Sequence, residues 1–258
     1  MFRRSRSLHV ERLENRRLLA AYSLLDLGFP PGTGSPLSYA YDISEQGEVA
    51  GYAVEASLWT PDTPNAPTGS MTTLGTLGGW RSGAEAVNDA GQAVGWAFTT
   101  SDESYQPVLF DNGTVERLSP VIDGVVSEGV ATDLNDAATL VVGRYAEYDS
   151  GSGTWTRSAF VWDDRGTEPL FVDLNQVYEE AYGISLNRAV AVQEIGSEVY
   201  VLLTAGGTSY ILNDQDGDFT TAESGNLIDL GYLGPGGITA AEAMNVHGQV
   251  VGFADYEG

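Results

Sequence analysis

One phrase recurs along this chain, and it constrains the fold more than any other feature. It reads apolar-Asn/Ser-x-x-Gly-x-apolar-apolar-Gly, with alanines on either side. Clear copies run over Ala40–Gly51, Ala84–Gly95 and Ala243–Gly252, and weaker ones over Ala131–Gly143 and Ala181–Val192. Anchored on Ile43, Val87, Leu134, Ile184 and Met244, the spacings are 44, 47, 50 and 60 residues. A self-similar period of that size marks a stacked or propeller-type repeat architecture.

The phrase has a local physical logic. Asn88 to Gly91 suits a type I turn, with Asn at its first position and Gly in the left-handed position of a bulge. Ala-x-x-apolar-Asn therefore ends one strand, and Gly-Gln-x-Val-Gly begins its antiparallel partner. The short alternation of Glu48–Ala53 has the period of a strand. A third strand follows at Ala56–Trp59, Pro107–Phe110 and Ser158–Trp162, and a fourth at Met71–Gly79 and Leu227–Gly231. Four short strands per repeat make a propeller blade, so the expected fold is all-β, propeller-like, with five repeat copies and the last one incomplete. The copies divide residues 22–258 at about 22–70, 71–115, 116–168, 169–224 and 225–258. No helical periodicity is expected after residue 21. The last copy stops where its third strand should follow. Either Tyr22–Leu27 supplies that strand and closes a five-bladed ring, or the sequence is cut at its C-terminus.

These residues carry a resemblance. Leu74–Gly79 with Ser82 and Ala86–Gly95, echoed by Leu230–Gly237, look like the repeat of the "probable extracellular repeat, HAF" family. The resemblance spans nearly all of residues 22–258 and implies an extracytoplasmic repeat protein with no defined activity. Glu55, Gln106 and Ser158 stand where the His that names the family would fall, so no role passes to them. The third copy lacks the turn glycine, and the fourth has only Asn187 as a residue tolerant of that turn.

Charge divides the chain in two. It holds 12 basic and 36 acidic residues for a formal net charge of −24, and six of the arginines lie in the first twenty residues. Without that segment the remainder has 6 basic against 34 acidic residues, a net charge near −28. Such a surface repels nucleic acid and anionic membranes. No apolar run approaches the ~20 residues a membrane-spanning helix needs. Cysteine is absent, which excludes disulfides and thiolate chemistry. Residues 1–21 read as a basic export or targeting segment, although they lack the apolar run of a secretory signal. Leu13-Glu14-Asn15-Arg16-Arg17-Leu18-Leu19 resembles the Leu-Glu-x-Arg-x-Leu-Leu motif of large planctomycete exoproteins, which implies export and cleavage near Ala20-Ala21.

Leu212–Glu223 is the sharpest local motif for chemistry. Gly217 at the sixth position of a calcium loop puts Asp214, Asp216 and Asp218 at positions 3, 5 and 7 and Glu223 at the bidentate position 12. Leu212 stands where the first ligand should be and the flanks read as strands, so Ca²⁺ binding at these four carboxylates is expected to be weak. The competing reading is an acidic hairpin loop. Asp149–Trp155 resembles an Asp-box hairpin, whose Asp satisfies backbone amides. Of two histidines, His9 lies in the export segment and His247 on a solvated turn, so neither a triad nor a zinc site is supported. No catalytic residue or organic cofactor is indicated. No spacing singles out a carboxylate pair, and the long, degenerate fourth copy is the place to look for an irregular site. Two function classes follow: a secreted or cell-surface non-enzymatic repeat protein binding an extracellular protein or glycan, or a secreted propeller enzyme using carboxylates on polysaccharide.

Overall fold

A computed structural model describes residues 24–31, 37–100, 104–120, 126–215, 217–222, 225–231 and 238–254. Four antiparallel four-stranded sheets follow one another as blades of a β-propeller. The first contains β1 (Tyr39–Ile43), β2 (Val49–Ala53), β3 (Glu55–Pro61) and β4 (Gly69–Gly75). The second contains β5 (Gly78–Val87), β6 (Ala93–Thr99), β7 (Tyr105–Asp111) and β8 (Thr114–Arg117). The third contains β9 (Val126–Leu134), β10 (Leu140–Asp149), β11 (Thr154–Asp163) and β12 (Leu170–Asp173). A single helix, α1 (Leu174–Tyr182), precedes the fourth blade: β13 (Arg188–Ile195), β14 (Glu198–Ala205), β15 (Thr208–Asp214) and β16 (Leu227–Asp229). A hairpin of β17 (Thr239–Met244) and β18 (Val250–Ala254) stacks on the fourth blade.

The recurring phrase is explained by a bulge in the innermost strand of every unit. Tyr41, Glu85, Thr132, Val190 and Glu242 are the extra residues, each between two paired neighbours. A bulge bends its strand and brings the partner backbone close. Gly51, Gly95, Gly143 and Gly252 sit at that approach, where a Cβ would lie 1.9, 2.0, 2.2 and 2.2 Å from a carbonyl oxygen of the inner strand. The turn residue has an equally local cause. Asn88 Oδ1 accepts the N–H groups of Ala90 and Gln92 at 3.1 and 3.0 Å, and Gly91 adopts φ 76°. Asn245 repeats this with His247 and Gln249, and Ser44 with Gln46 and Glu48. In the third copy the left-handed position is held by Ala138, at φ 52°.

Apolar packing lies between blades. Ala84, Val108 and Phe110 pack with Leu58 at the first interface, and Val94 and Leu109 with Phe160 and Trp162 at the second. Leu140, Val161, Leu203 and Leu212 fill the third together with Leu174 and Tyr178 of α1. Each such fully buried side chain contributes about 1.5–3 kcal/mol. The hairpin adds Ala241 and Met244 against Val190 and Leu202.

Three expectations need correction. Helix α1 was not anticipated, although Leu174, Val177, Tyr178 and Tyr182 have helical spacing. Asp173 caps its first turn through Gln176 N, and Gly183 ends it at φ 68°. The insertion of α1 accounts for the length of the fourth copy and also displaces its anchor. Ile184 lies outside the strands, and the residue equivalent to Val87 is Val192, paired with Val201 as Val87 is with Ala93. Where other copies have the close-approach glycine this blade has Leu203, opposite Ala189. Val87, Leu134 and Met244 are equivalent and buried, but Ile43, at the same position, is 64% exposed because no blade among the described residues covers β1 as blade one covers β5. Residues 24–30 form no strand, and Leu27 lies beside Tyr39 and Gly51 of the first blade rather than beside β18. Tyr22 lies outside the described residues, as do residues 1–21, for which an export role was expected.

Candidate functional site

The bulged inner strands and their turns surround a cavity of about 630 Å³ to which all five units contribute. Its wall carries Asp42, Glu45, Glu85 and Asp89 from the first two blades, Asp133 and Asp136 from the third, Glu194 from the fourth and Glu242 from the hairpin. Arg188 is the one cation in that wall. Repetition causes this concentration. The residue after the first turn position is Glu45, Asp89 and Asp136 in the first three copies, the residue after the bulge is Asp42 and Asp133, and the bulge itself is Glu85 and Glu242.

Four of these groups, Asp42, Asp89, Asp133 and Glu194, bond to a neighbouring blade. Asp42 Oδ2 accepts the Val87 N–H at 2.9 Å, and Asp133 Oδ2 accepts the Val192 N–H at 2.8 Å. Both aspartates occupy the residue after the bulge, so one repeat position makes the same bond between blades one and two and between blades three and four. Asn88 Nδ2 donates to the Asp136 carbonyl at 3.0 Å, Asn135 Nδ2 to Glu194 at 2.9 Å, and Glu45 N to Asp89 at 2.8 Å. Thr132 Oγ1 donates to the Ala189 carbonyl at 2.8 Å. Sequence reasoning missed Asp42 and Asp133 as a pair. The signal was available, since each directly precedes an anchor, Ile43 or Leu134.

Burial of the Asp133 carboxyl among the blades raises its pKa from the usual 3.8 to about 7. Hydrogen bonds from Val192 and Leu134 oppose the shift, and the negative charge of Asp42 adds to it. Tyr41 is likewise raised, first by burial and then by Glu85.

The expected calcium loop begins at the end of β15. Asp214 is buried and its Oδ1 accepts the Gly217 N–H at 3.0 Å. Asp218 caps Thr220, and Phe219 enters the core under α1. Asp216 and Glu223 lie outside the described residues. Arg165 brings its own positive charge here. It pairs with Asp163 at 2.6 Å, donates to the Gly217 carbonyl at 3.1 Å and stands 5.7 Å from the Phe219 ring. Among the described residues, no group of three or more His, Asp or Glu side chains is placed to hold a metal ion.

Asp149 satisfies the turn as an Asp-box residue would, accepting Gly151 N at 2.8 Å and Ser152 Oγ at 2.7 Å. The Ser152 bond, followed by that of Gly151, lowers its pKa. His247 lies exposed on the hairpin turn. Gln106 and Ser158 are buried, donating to the Ser127 carbonyl and to Asp173 respectively. Among the described residues no helix is long and apolar enough to cross a membrane.

A four-bladed propeller extended by a hairpin, with a carboxylate-walled axial cavity, is thus the class of protein this chain forms. Compared with known proteins, it matches no family model and no curated sequence.

Proposed function

We propose that this chain is a secreted or cell-surface, non-enzymatic repeat protein that binds an extracellular glycan or protein partner. The observation that carries this reading is the use of the axial polar groups. Asp42, Asp133, Asn88 and Asn135 each bond the backbone or side chain of the next blade, which is the work of a scaffold. Repeat scaffolds of this kind present broad faces for recognition. The sharp change from a basic to an acidic chain at Ala20-Ala21 supports export.

One observation favours a second reading. Asp133, whose pKa burial and the neighbouring Asp42 raise to about 7, would suit the acid of a carboxylate pair acting on polysaccharide. Purified protein incubated with cell-envelope polysaccharide separates the two. Retention on an affinity gel without release of reducing ends supports the scaffold. Release that disappears in both Asp42→Asn and Asp133→Asn replaces it with the hydrolase. N-terminal sequencing of protein recovered outside the cell tests export. A start near Tyr22 is expected, and an intact Met1 on protein found only in the cytoplasm refutes it.

A further inference from the structure

A row of aromatic rings lies beside the acidic cavity on the first two blades. Tyr52 and Trp96 each follow the close-approach glycine of their repeat, so the fold places them side by side on adjacent blades. Tyr39 and Tyr52 lie near-parallel at 6.4 Å with 28° between planes, and Tyr52 and Trp96 at 6.4 Å with 26°. Phe98 continues the row, 6.0 Å from Trp96 and 6.2 Å from Trp80. Tyr39 and Trp80 are 53% and 59% exposed, and the other rings are partly open.

The row is held in place. Trp96 Nε1 donates to Glu85 at 3.0 Å, its ring meets Phe98 and Tyr105 edge-on, and Gly83 beneath it has no side chain, where a Cβ would lie 2.7 Å from the indole. Arg81 lies between Tyr52 and Trp80, its guanidinium carbon 5.5 and 4.9 Å from the two ring centres. It donates to the Tyr52 hydroxyl at 3.1 Å, and its Nε–H is buried with no acceptor. In a chain with 36 acidic residues, Arg81 has no ion pair among the described residues. The one salt bridge among the described residues is Arg165–Asp163. Rigid, exposed aromatics with an underused donor describe a recognition surface that needs little ordering on binding.

We propose that this row is a binding platform for a neutral oligosaccharide of pyranose units with equatorial hydroxyls. The C–H faces of the sugars pack on Tyr39, Tyr52, Trp80 and Trp96, and a hydroxyl accepts from Arg81. The flat rings call for a ligand with flat apolar faces, and the guanidinium lying between Tyr52 and Trp80 offers N–H donors to its hydroxyls. The net charge of −24 opposes a polyanion. This inference rests on the reading of the chain as a binding protein and gives that reading a ligand class.

Calorimetric titration of the full chain tests it, with cellohexaose, an oligogalacturonate of equal length and poly-L-glutamate as probes. Cellohexaose should bind the parent protein, and Trp80→Ala and Arg81→Gln should each weaken binding about tenfold, the loss of one stacked ring or one charge-assisted hydrogen bond. Trp155→Ala, which removes an exposed indole from the third blade, should leave it unchanged. No binding of cellohexaose, equal binding by Trp80→Ala, or preference for oligogalacturonate or polyglutamate overturns the platform. Reducing-end release is a separate readout, so failure of the platform and failure of the non-enzymatic reading remain distinguishable.

Discussion

Replacing Gly95 by alanine tests the cause assigned to the recurring glycine. Its backbone is unexceptional, so the whole effect is steric. The added Cβ would lie 2.0 Å from the Gly83 oxygen, 2.9 Å from its carbonyl carbon and 3.0 Å from Ala84 Cα. All three are backbone atoms, which no rotamer change can move. Relief requires β5 and β6 to part by about 1 Å, beyond the range of the N–H···O bonds flanking the bulge. Two such bonds at about 1 kcal/mol each, with overpacking of about 1–3 kcal/mol, give a loss of about 3 kcal/mol or more. For a chain of this size that is a melting temperature lower by about 6–12 °C. Gly113→Ala is the control. Its φ is +81° with nothing within 4 Å, so only left-handed strain of about 1–2 kcal/mol is added. Urea unfolding followed by tryptophan fluorescence measures both. If Gly95→Ala costs no more than Gly113→Ala, close approach is not why the glycine recurs.

Asp133 gives a pH dependence of definite sign. Its pKa is about 7 in the fold against 3.8 unfolded, so the native state holds the extra proton between those values and stability falls as pH rises from about 4 to 7. Asp133→Asn should flatten that slope and raise the melting temperature at pH 8, and a variant that keeps the parent slope refutes the assignment. Asn88→Ala should cost about 2–3 kcal/mol, because it removes two turn bonds and a part-buried bond to the third blade. Asn245→Ala, with the same turn bonds on an exposed hairpin, should cost about 1 kcal/mol in the same urea assay. Arg165→Gln removes the cation beside Asp214 and Gly217. It should make the melting temperature rise on adding millimolar calcium, more than calcium raises that of the parent, and an equal response in both refutes a balancing role for Arg165.

The blades were legible in the sequence wherever the bulge and its turn demanded special residues. Gly51, Gly95 and Gly252 exist because a carbonyl occupies the place of their side chain, and Asn88 and Asn245 because a turn amide needs an acceptor. The fourth blade was misplaced for the same reason. It tolerates Leu203 at the close approach and turns through Gly196 instead of an Asn-x-x-Gly phrase, so nothing local distinguished Val192 from Ile184. Exposure of Ile43 depends on which unit lies beside β1, and a repeat period contains no such information. The cavity was legible only as an excess of acid. Equivalence of Asp42 and Asp133 could be read from the alignment of copies, but the bonds to Val87 and Val192 belong to the next blade. The row through Tyr52 and Trp96 was hidden similarly, because its members are neighbours in space and 44 residues apart in the chain.

The bonds between blades also have a direction. Asp42 and Ser82 join the first two blades, Asn88 reaches from the second to the third, Asp133 and Asn135 from the third to the fourth, and Ser209 Oγ from the fourth to Ala241 N of the hairpin. In most of these the side chain belongs to the earlier unit and the backbone group to the later one. On a ribosome, where N-terminal segments fold first, most inner strands would emerge to find a side-chain partner already fixed on the blade before them. The seam then works as a template. A substitution at Asp42 would be felt in the closing of the second blade during synthesis, before the third existed to compensate.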